Sequence, residues 1–264
     1  MQATILIQYL ESFTSSKWPE ARANEDRILL RDGFCAVMDG ATSKGTTTGP
    51  TGATVADLIC AALDSWNMER PLRDLVAFVS EQVRAGLADA PGQNMRPSAT
   101  LLVFVAAHRR ILRVGDSHFA ISGQQFRGQK PVDALLGEMR SLYLRLSQDW
   151  QPDSDPGRAL ILPVLQQQYR LQNNADFPQY GYGCIDGSPV PETFIEIHDV
   201  PADSEIVLCS DGYLSPAPSL AQAEAELRSA LERDPACIDL HKSTKGLQDG
   251  QVSFDDRSYI RLRI

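Results

Sequence analysis

Phe34-Cys35-Ala36-Val37-Met38-Asp39-Gly40-Ala41-Thr42-Ser43 is the stretch on which the reading of this chain turns. The run from Phe34 to Met38 is apolar enough for a strand buried inside a sheet. It stops at an aspartate, followed by glycine and a loop of small and hydroxyl residues. Such an ending delivers a carboxylate to the rim of the sheet, where it can meet a cation or a substrate. Asp-Gly is also a very common turn dipeptide, and taken alone the pair reads as a turn. The choice depends on whether other strands end the same way.

Upstream, Ile28-Leu29-Leu30 reads as a short strand and Arg31-Asp32-Gly33 as a hairpin turn, from which the quoted stretch returns antiparallel. The hairpin sets Glu25 and Asp26, at the start of one strand, beside Asp39 at the end of the other. Residues 3–10 read as a first strand, with a polar connection through Glu20. Downstream the period changes. Val55, Leu58, Ile59, Ala62, Leu63 and Trp66 predict a helix over 52–66, and Pro71 opens another over 72–87.

Strands are expected at 98–107 and 111–114, the second ending in Gly115-Asp116-Ser117, and again at 118–122. Residues 131–146 and 158–172 read as helices. A turn-rich aromatic section follows over 173–191, in which Asp186-Gly187 is a turn. Strands are expected again at 193–200 and at 205–209, where Glu205 to Cys209 ends in Ser210-Asp211-Gly212. A helix covers 219–232. Asp255-Asp256 then leads into 258–264, where Ile260, Leu262 and Ile264 share one face with a period of two.

The 264 residues, 43% hydrophobic and 22% charged, are enough for one large domain. A net charge of -9 argues against a nucleic-acid partner or an anionic membrane surface. The longest apolar run, Leu101 to Ala107, is far too short to span a bilayer. The apolar patch at 3–7 has no basic segment before it and no small-residue cleavage site after it, so a cytoplasmic location is expected. The five cysteines are scattered without C-x-x-C spacing and read as core thiols in a reducing compartment.

Acidic residues thus recur at strand ends: Glu25 and Asp26, Asp39, Asp116, Asp211, and Asp255 with Asp256. If these ends converge, the carboxylates repel one another and hold each other's pKa up unless cations neutralise them. With oxygen ligands and no Cys- or His-rich cluster, Mg²⁺ or Mn²⁺ is expected in preference to Zn²⁺. Such a cluster can hold two ions about 3.5–4 Å apart and activate a water for in-line attack on phosphorus.

The ordered set Asn24-Glu25-Asp26-Arg27, Val37-Met38-Asp39-Gly40, Ser98 to Phe104 with Leu112 to Ser117, Ile206 to Gly212, and Asp255 to Ile260 resembles the metal-dependent protein serine/threonine phosphatases, the type 2C family. The resemblance implies an α+β fold, a four-layer α-β-β-α sandwich of two antiparallel sheets flanked by helices. It also implies one phosphatase-like domain over 1–264, with 125–190 as a divergent insertion or flap. Carried over by motif, Asp39 bridges two metals and the Gly40 carbonyl binds one. Asp211 and Asp255 complete the first metal, and Glu25 reaches the second through water. Asp26 positions a metal-bound water, and Asp116 serves a third, weaker site shared with Asp211.

Some positions depart from the family pattern. Its phosphate-binding arginine falls here on Ala21, which leaves Arg22, one residue late, and Lys44 as candidate phosphate contacts. Ala41-Thr42-Ser43 replaces the usual His or Met followed by Gly-Gly, so a histidine acid is missing there. His118, where arginine is common, reads as a strand-surface residue. The expected function is hydrolysis of phosphoserine or phosphothreonine on a phosphorylated protein, opposing a serine/threonine kinase in signalling. Two alternatives are a regulatory pseudophosphatase, suggested by the displaced arginine, and a phosphatase for a small phosphorylated metabolite, with the middle segment closing over the pocket.

Overall fold

The hairpin expected around Gly33 forms as read. In the computed structural model, which describes residues 6–19, 24–41, 49–67, 69–88 and 97–264, β2 (Arg27–Leu30) pairs antiparallel with β3 (Phe34–Met38), and Arg27 faces Met38. The register therefore puts Asp26 and Asp39 at the same end of the sheet. That sheet continues through β4 (Leu101–Val105) and β5 (Arg110–Val114) to β8 (Glu196–Asp199), in the order β2-β3-β4-β5-β8. Every residue of β3 and β4 is buried, which is why both read as unbroken apolar runs instead of alternating ones.

The second sheet runs β1-β10-β9-β6-β7. It comprises β1 (Gln8–Ser15), β10 (Arg257–Arg263), β9 (Glu205–Cys209), β6 (His118–Ile121) and β7 (Gln124–Phe126). Cys35, Val37, Leu102, Phe104 and Ile111 of the first sheet meet Phe119, Ile206, Leu208, Ile260 and Leu262 of the second. Each such side chain, fully buried, contributes about 1.5–3 kcal/mol.

On the other face of the first sheet, α1 (Gly52–Ser65) and α2 (Arg73–Gly86) lay Val55, Ile59, Leu63, Leu75 and Val79 over Ala36, Met38, Leu101 and Val103. On the outside of the second, α5 (Leu220–Arg233) packs Ala223 and Leu227 over Val207, Cys209 and Tyr259. The result is the expected four-layer sandwich. All five thiols are free, and none of the helices described is long and apolar enough to cross a membrane.

The end of the sandwich remote from Asp39 is tied across the sheets. Tyr9 of β1 donates its hydroxyl to the Arg31 carbonyl at 2.6 Å and accepts from the Arg31 amide at 3.1 Å. At the near end, α3 (Pro131–Ser147) and α4 (Pro156–Leu165) pack on each other through Val132, Leu136, Ile161 and Leu165. Arg140 of α3, fully buried, joins them to the chain before β10. Its guanidinium pairs with Asp155 at 2.7 Å and donates to the carbonyls of Ala236 at 2.8 Å and Ser243 at 3.0 Å.

Several boundaries differ from expectation. The first strand runs over Gln8–Ser15, not 3–10: its pairing with β10 runs from Gln8 opposite Arg263 to Ser15 opposite Arg257, and this edge position tolerates half-exposed polar residues. Residues 1–5 lie outside the described residues. The helix read over 158–172 begins earlier, at Pro156, and ends at Leu165, giving way to a short 3-10 turn over Gln168–Leu171. The strand read over 193–200 is confined to β8, because Glu192–Phe194 form a 3-10 turn.

Candidate active site

Each acidic residue reaches the rim by a different local route. Glu25 and Asp26 precede β2, and Asp39 follows β3. Asp116 lies where the chain crosses from β5 to β6, Asp211 follows β9, and Asp255 and Asp256 precede β10. Two glycines bring the backbones close. A Cβ on Gly40 would lie 2.6 Å from the Glu25 carbonyl oxygen and from the Gly52 carbonyl carbon, so the first turn of α1 abuts the Asp39 loop. A Cβ on Gly212 would lie 1.9 Å from the Asp256 carbonyl oxygen.

The Asp39 amide donates to the Thr100 hydroxyl at 3.2 Å, and the Asp39 carbonyl accepts from the Thr100 amide at 2.8 Å. Asp26, 2% exposed, accepts from the Ser210 hydroxyl at 2.7 Å through Oδ2. Its buried Oδ1 has no hydrogen-bond partner. Asp256 does structural work: its carboxylate accepts from the Lys17 amide at 2.9 Å and the Glu25 amide at 2.8 Å, which fixes the approach to β2.

Electrostatically the cluster divides in two. Burial pushes the Asp26 carboxyl up to about 8, with Asp256 and Asp255 adding to the rise against the Ser210 hydroxyl. Burial also lifts Asp211 to about 7, helped by Asp116 and Asp255 and opposed by Lys130. Asp39 is held well above the usual carboxylate range by burial, then by Asp211, Asp26 and Asp255.

Asp255 and Asp116 behave oppositely. Burial would raise both, but Lys245 and Lys17 hold Asp255 below the usual range, and Lys130 does the same for Asp116. Lys17 Nζ lies 2.8 Å from Asp255 Oδ1, Lys245 Nζ 2.7 Å from Asp255 Oδ2, and Lys130 Nζ 2.9 Å from Asp116 Oδ1. Among the described residues no ion pair reaches Asp26, Asp39 or Asp211.

Asp39, Asp116, Asp211 and Asp255, with Lys130 and Lys245, line a cavity of ≈ 420 Å³, whereas Glu25, Asp26 and Lys17 are not among its lining residues. Gln168, Gln172 and Tyr182, from the segment after α4, line it too. Ile185 bridges to Ala99, which bridges in turn to Gly40, so this segment is stitched to the edge of the site.

His118 is not a strand-surface residue. It is 7% exposed and lines the cavity, because Gly128 closes over it: the Gly128 amide donates to Nδ1 at 3.0 Å. That bond leaves the proton of the neutral ring on Nε2. Burial pulls its pKa down to about 4 despite Asp116. Asp186-Gly187 is the turn expected, with Gly187 at φ 85° and Asp186 accepting from the Ser188 amide at 2.8 Å.

Arg22 and Lys44, the candidate phosphate contacts, lie outside the described residues, as do Ala21, Thr42 and Ser43. Lys17, Lys130 and Lys245 were not singled out by the sequence. They come from loops with no periodicity or motif, and only the packing brings them to the carboxylates.

No family model matches the sequence, and no curated protein matches it. Solved structures do match. The serine/threonine phosphatase PstP/Ppp of Mycobacterium tuberculosis superposes with a TM-score of 0.52 at 16% identity, over 98% of this chain and 99% of that one. The chain has the type 2C serine/threonine phosphatase fold. The catalytic domain of PstP in complex with two manganese ions shares the fold at a TM-score of 0.50 and 17% identity, over 98% of each chain. A bacterial serine phosphatase shares it at 0.51 and 11%, over 98% of this chain and 97% of that one.

The phosphatase fold implies divalent cations, and the donor set fits them in chemistry. All candidate ligands are oxygens, the partnerless Oδ1 of Asp26 is buried, and Asp39 and Asp211 meet through a side-chain hydrogen bond with no ion pair to either among the described residues. Among the described residues, however, no three acidic, histidine or cysteine side chains are already gathered around one ion position. At Asp255 the lysines hold the carboxylate instead.

Proposed function

We propose that this chain is a Mg²⁺- or Mn²⁺-dependent phosphatase acting on phosphoserine or phosphothreonine in a protein. The observation that carries the proposal is the gathering of acidic strand ends from both sheets at one cavity, on a fold shared with serine/threonine phosphatases. Asp39, the Gly40 carbonyl, Asp211 and Asp255 would hold one cation, with Asp39 shared and Glu25 serving a second; Asp116 would contribute to a third. When bound, the cations would neutralise the carboxylates and supply an activated water for in-line attack on phosphorus.

The chain's own side chains have distinct parts. Ser210 fixes one oxygen of Asp26, and the other, free of partners, is suited to orient the attacking water. Thr100 sets the Asp39 backbone through two hydrogen bonds. Lys130 keeps its charge although burial opposes it, because Asp116, Asp133 and Asp211 outweigh that cost. It presents positive charge to a phosphate in the cavity, alongside the proposed contacts Arg22 and Lys44. Residues 125–190 would form the flap that selects the substrate, and a phosphorylated protein opposing a serine/threonine kinase is the expected partner.

A second reading is favoured by one observation: both oxygens of Asp255 are engaged by ammonium groups, as in a site that binds without catalysing. Hydrolysis of p-nitrophenyl phosphate and of a phosphothreonine peptide, with Mn²⁺, with chelator and in Asp39→Asn, separates the two. Metal-dependent turnover lost in the variant, by about 10²-fold or more, supports the phosphatase. No turnover with any divalent metal leaves the binding protein.

A further inference from the structure

Positive charge is unevenly distributed around the carboxylates. Asp26, Asp39 and Asp211 have no ion pair among the described residues, whereas Asp255 has two ammonium partners, one on each oxygen, at 2.8 and 2.7 Å. Neither lysine is a loose surface side chain: Lys17 is 9% and Lys245 15% exposed. The backbone holds both in place. The Lys17 amide donates to Asp256 at 2.9 Å, and its carbonyl accepts from Val252 at 3.0 Å. Lys245 lies between Thr244, whose carbonyl accepts from Arg158 at 2.7 Å, and Leu247, whose amide donates to Pro235 at 2.8 Å.

Lys17 also stands 3.8 Å from Glu25, so it spans two of the carboxylates assigned to cations, Asp255 and Glu25, and it lies 3.7 Å from Asp256. A divalent ion approaching Asp255 meets oxygens that are already taken, and it meets two like charges at close range in a poorly solvated site.

We propose that Lys17 and Lys245 are built-in competitors for the cation. They hold Asp255 in an ammonium-bound state, and the metal affinity of this chain is set by how readily the two side chains let go. The inference rests on the reading above that the carboxylates bind a divalent metal. Both lysines are positioning residues in this scheme: they act on Asp255 and not on the reacting atoms.

The test is Mn²⁺ binding to the intact chain by titration calorimetry, with no substrate present. Lys17→Met and Lys245→Met should each bind Mn²⁺ about tenfold tighter than the parent, while Lys17→Arg and Lys245→Arg should stay near the parent value. In the unsubstituted protein, Mn²⁺ should increase labelling of Lys17 and Lys245 by an amine-reactive reagent relative to Lys242, read by mass spectrometry. This second measurement decides the matter if the methionine variants do not fold. Parent-like or weaker binding by the methionine variants, with labelling unchanged by Mn²⁺, overturns the competition and leaves the metal-dependent phosphatase standing. No Mn²⁺ binding by the parent or any variant overturns both.

Discussion

At the scale of single residues, Gly40 is a tight constraint on the Asp39 loop. A methyl there would press on the Glu25 carbonyl and on the first turn of α1 at 2.6 Å, and both are backbone that cannot rotate away. Gly40→Ala should therefore cost about 1–3 kcal/mol of stability, read as a lower thermal midpoint. It should also reduce phosphatase turnover, because any relief moves Asp39 relative to Glu25. The sequence offered Gly40 as the partner of an aspartate in a turn, and its function as a spacer between Glu25 and α1 was invisible there. The acidic residues were legible one by one, since each closes or opens an apolar run. The lysines that answer them were not: Lys17 meets Asp255 across 238 positions of chain, with no local pattern to mark it.

Among the elements, the apolar α3–α4 pair is tied to the rest of the chain by a buried arginine. Arg140 has no exposure, and its partner Asp155 also caps α4 by accepting from the Arg158 amide at 2.7 Å. Arg140→Ala would leave Asp155 and the carbonyls of Ala236 and Ser243 without their donor, at a cost of about 3–5 kcal/mol. Urea unfolding should show this as a lower midpoint. A pH effect belongs to the edge of the first sheet, where Glu196 of β8 meets Arg113 of β5 at 2.7 Å, with His198 beside it at 3.3 Å.

Burial would raise the Glu196 carboxyl, but Arg113 outweighs it and holds it below the ordinary value. Its contribution is therefore present above the unfolded value of about 4.3 and lost as pH falls through the lower folded one. Urea midpoints measured from pH 7 to pH 3 should fall more steeply in the parent than in Glu196→Gln. The strongly periodic elements, α1, α2 and β10, were readable from spacing, and α5 from its Ala- and Leu-rich composition. β1 was displaced because an edge strand carries polar residues, and β7, over Gln124–Phe126, is too short and exposed to leave a pattern.

For the whole molecule, the layers follow from which runs are apolar on both sides and which on one. The cavity does not, because its roof comes from a segment whose helices carry no motif. The two ends of the sandwich are also built differently. At one end the Tyr9 hydroxyl bridges β1 to the hairpin turn at Arg31. At the other, Asp39 after β3 and Asp211 after β9, from opposite sheets, meet through a side-chain hydrogen bond at the cavity. The molecule is thus tied at both ends, at the tail by a hydroxyl and at the mouth by paired acids. A hydroxyl bridge is indifferent to ions, whereas paired acids can exchange their proton for an arriving cation, so the link between the two sheets at the mouth belongs to the site's contents as well as to the hydrophobic core.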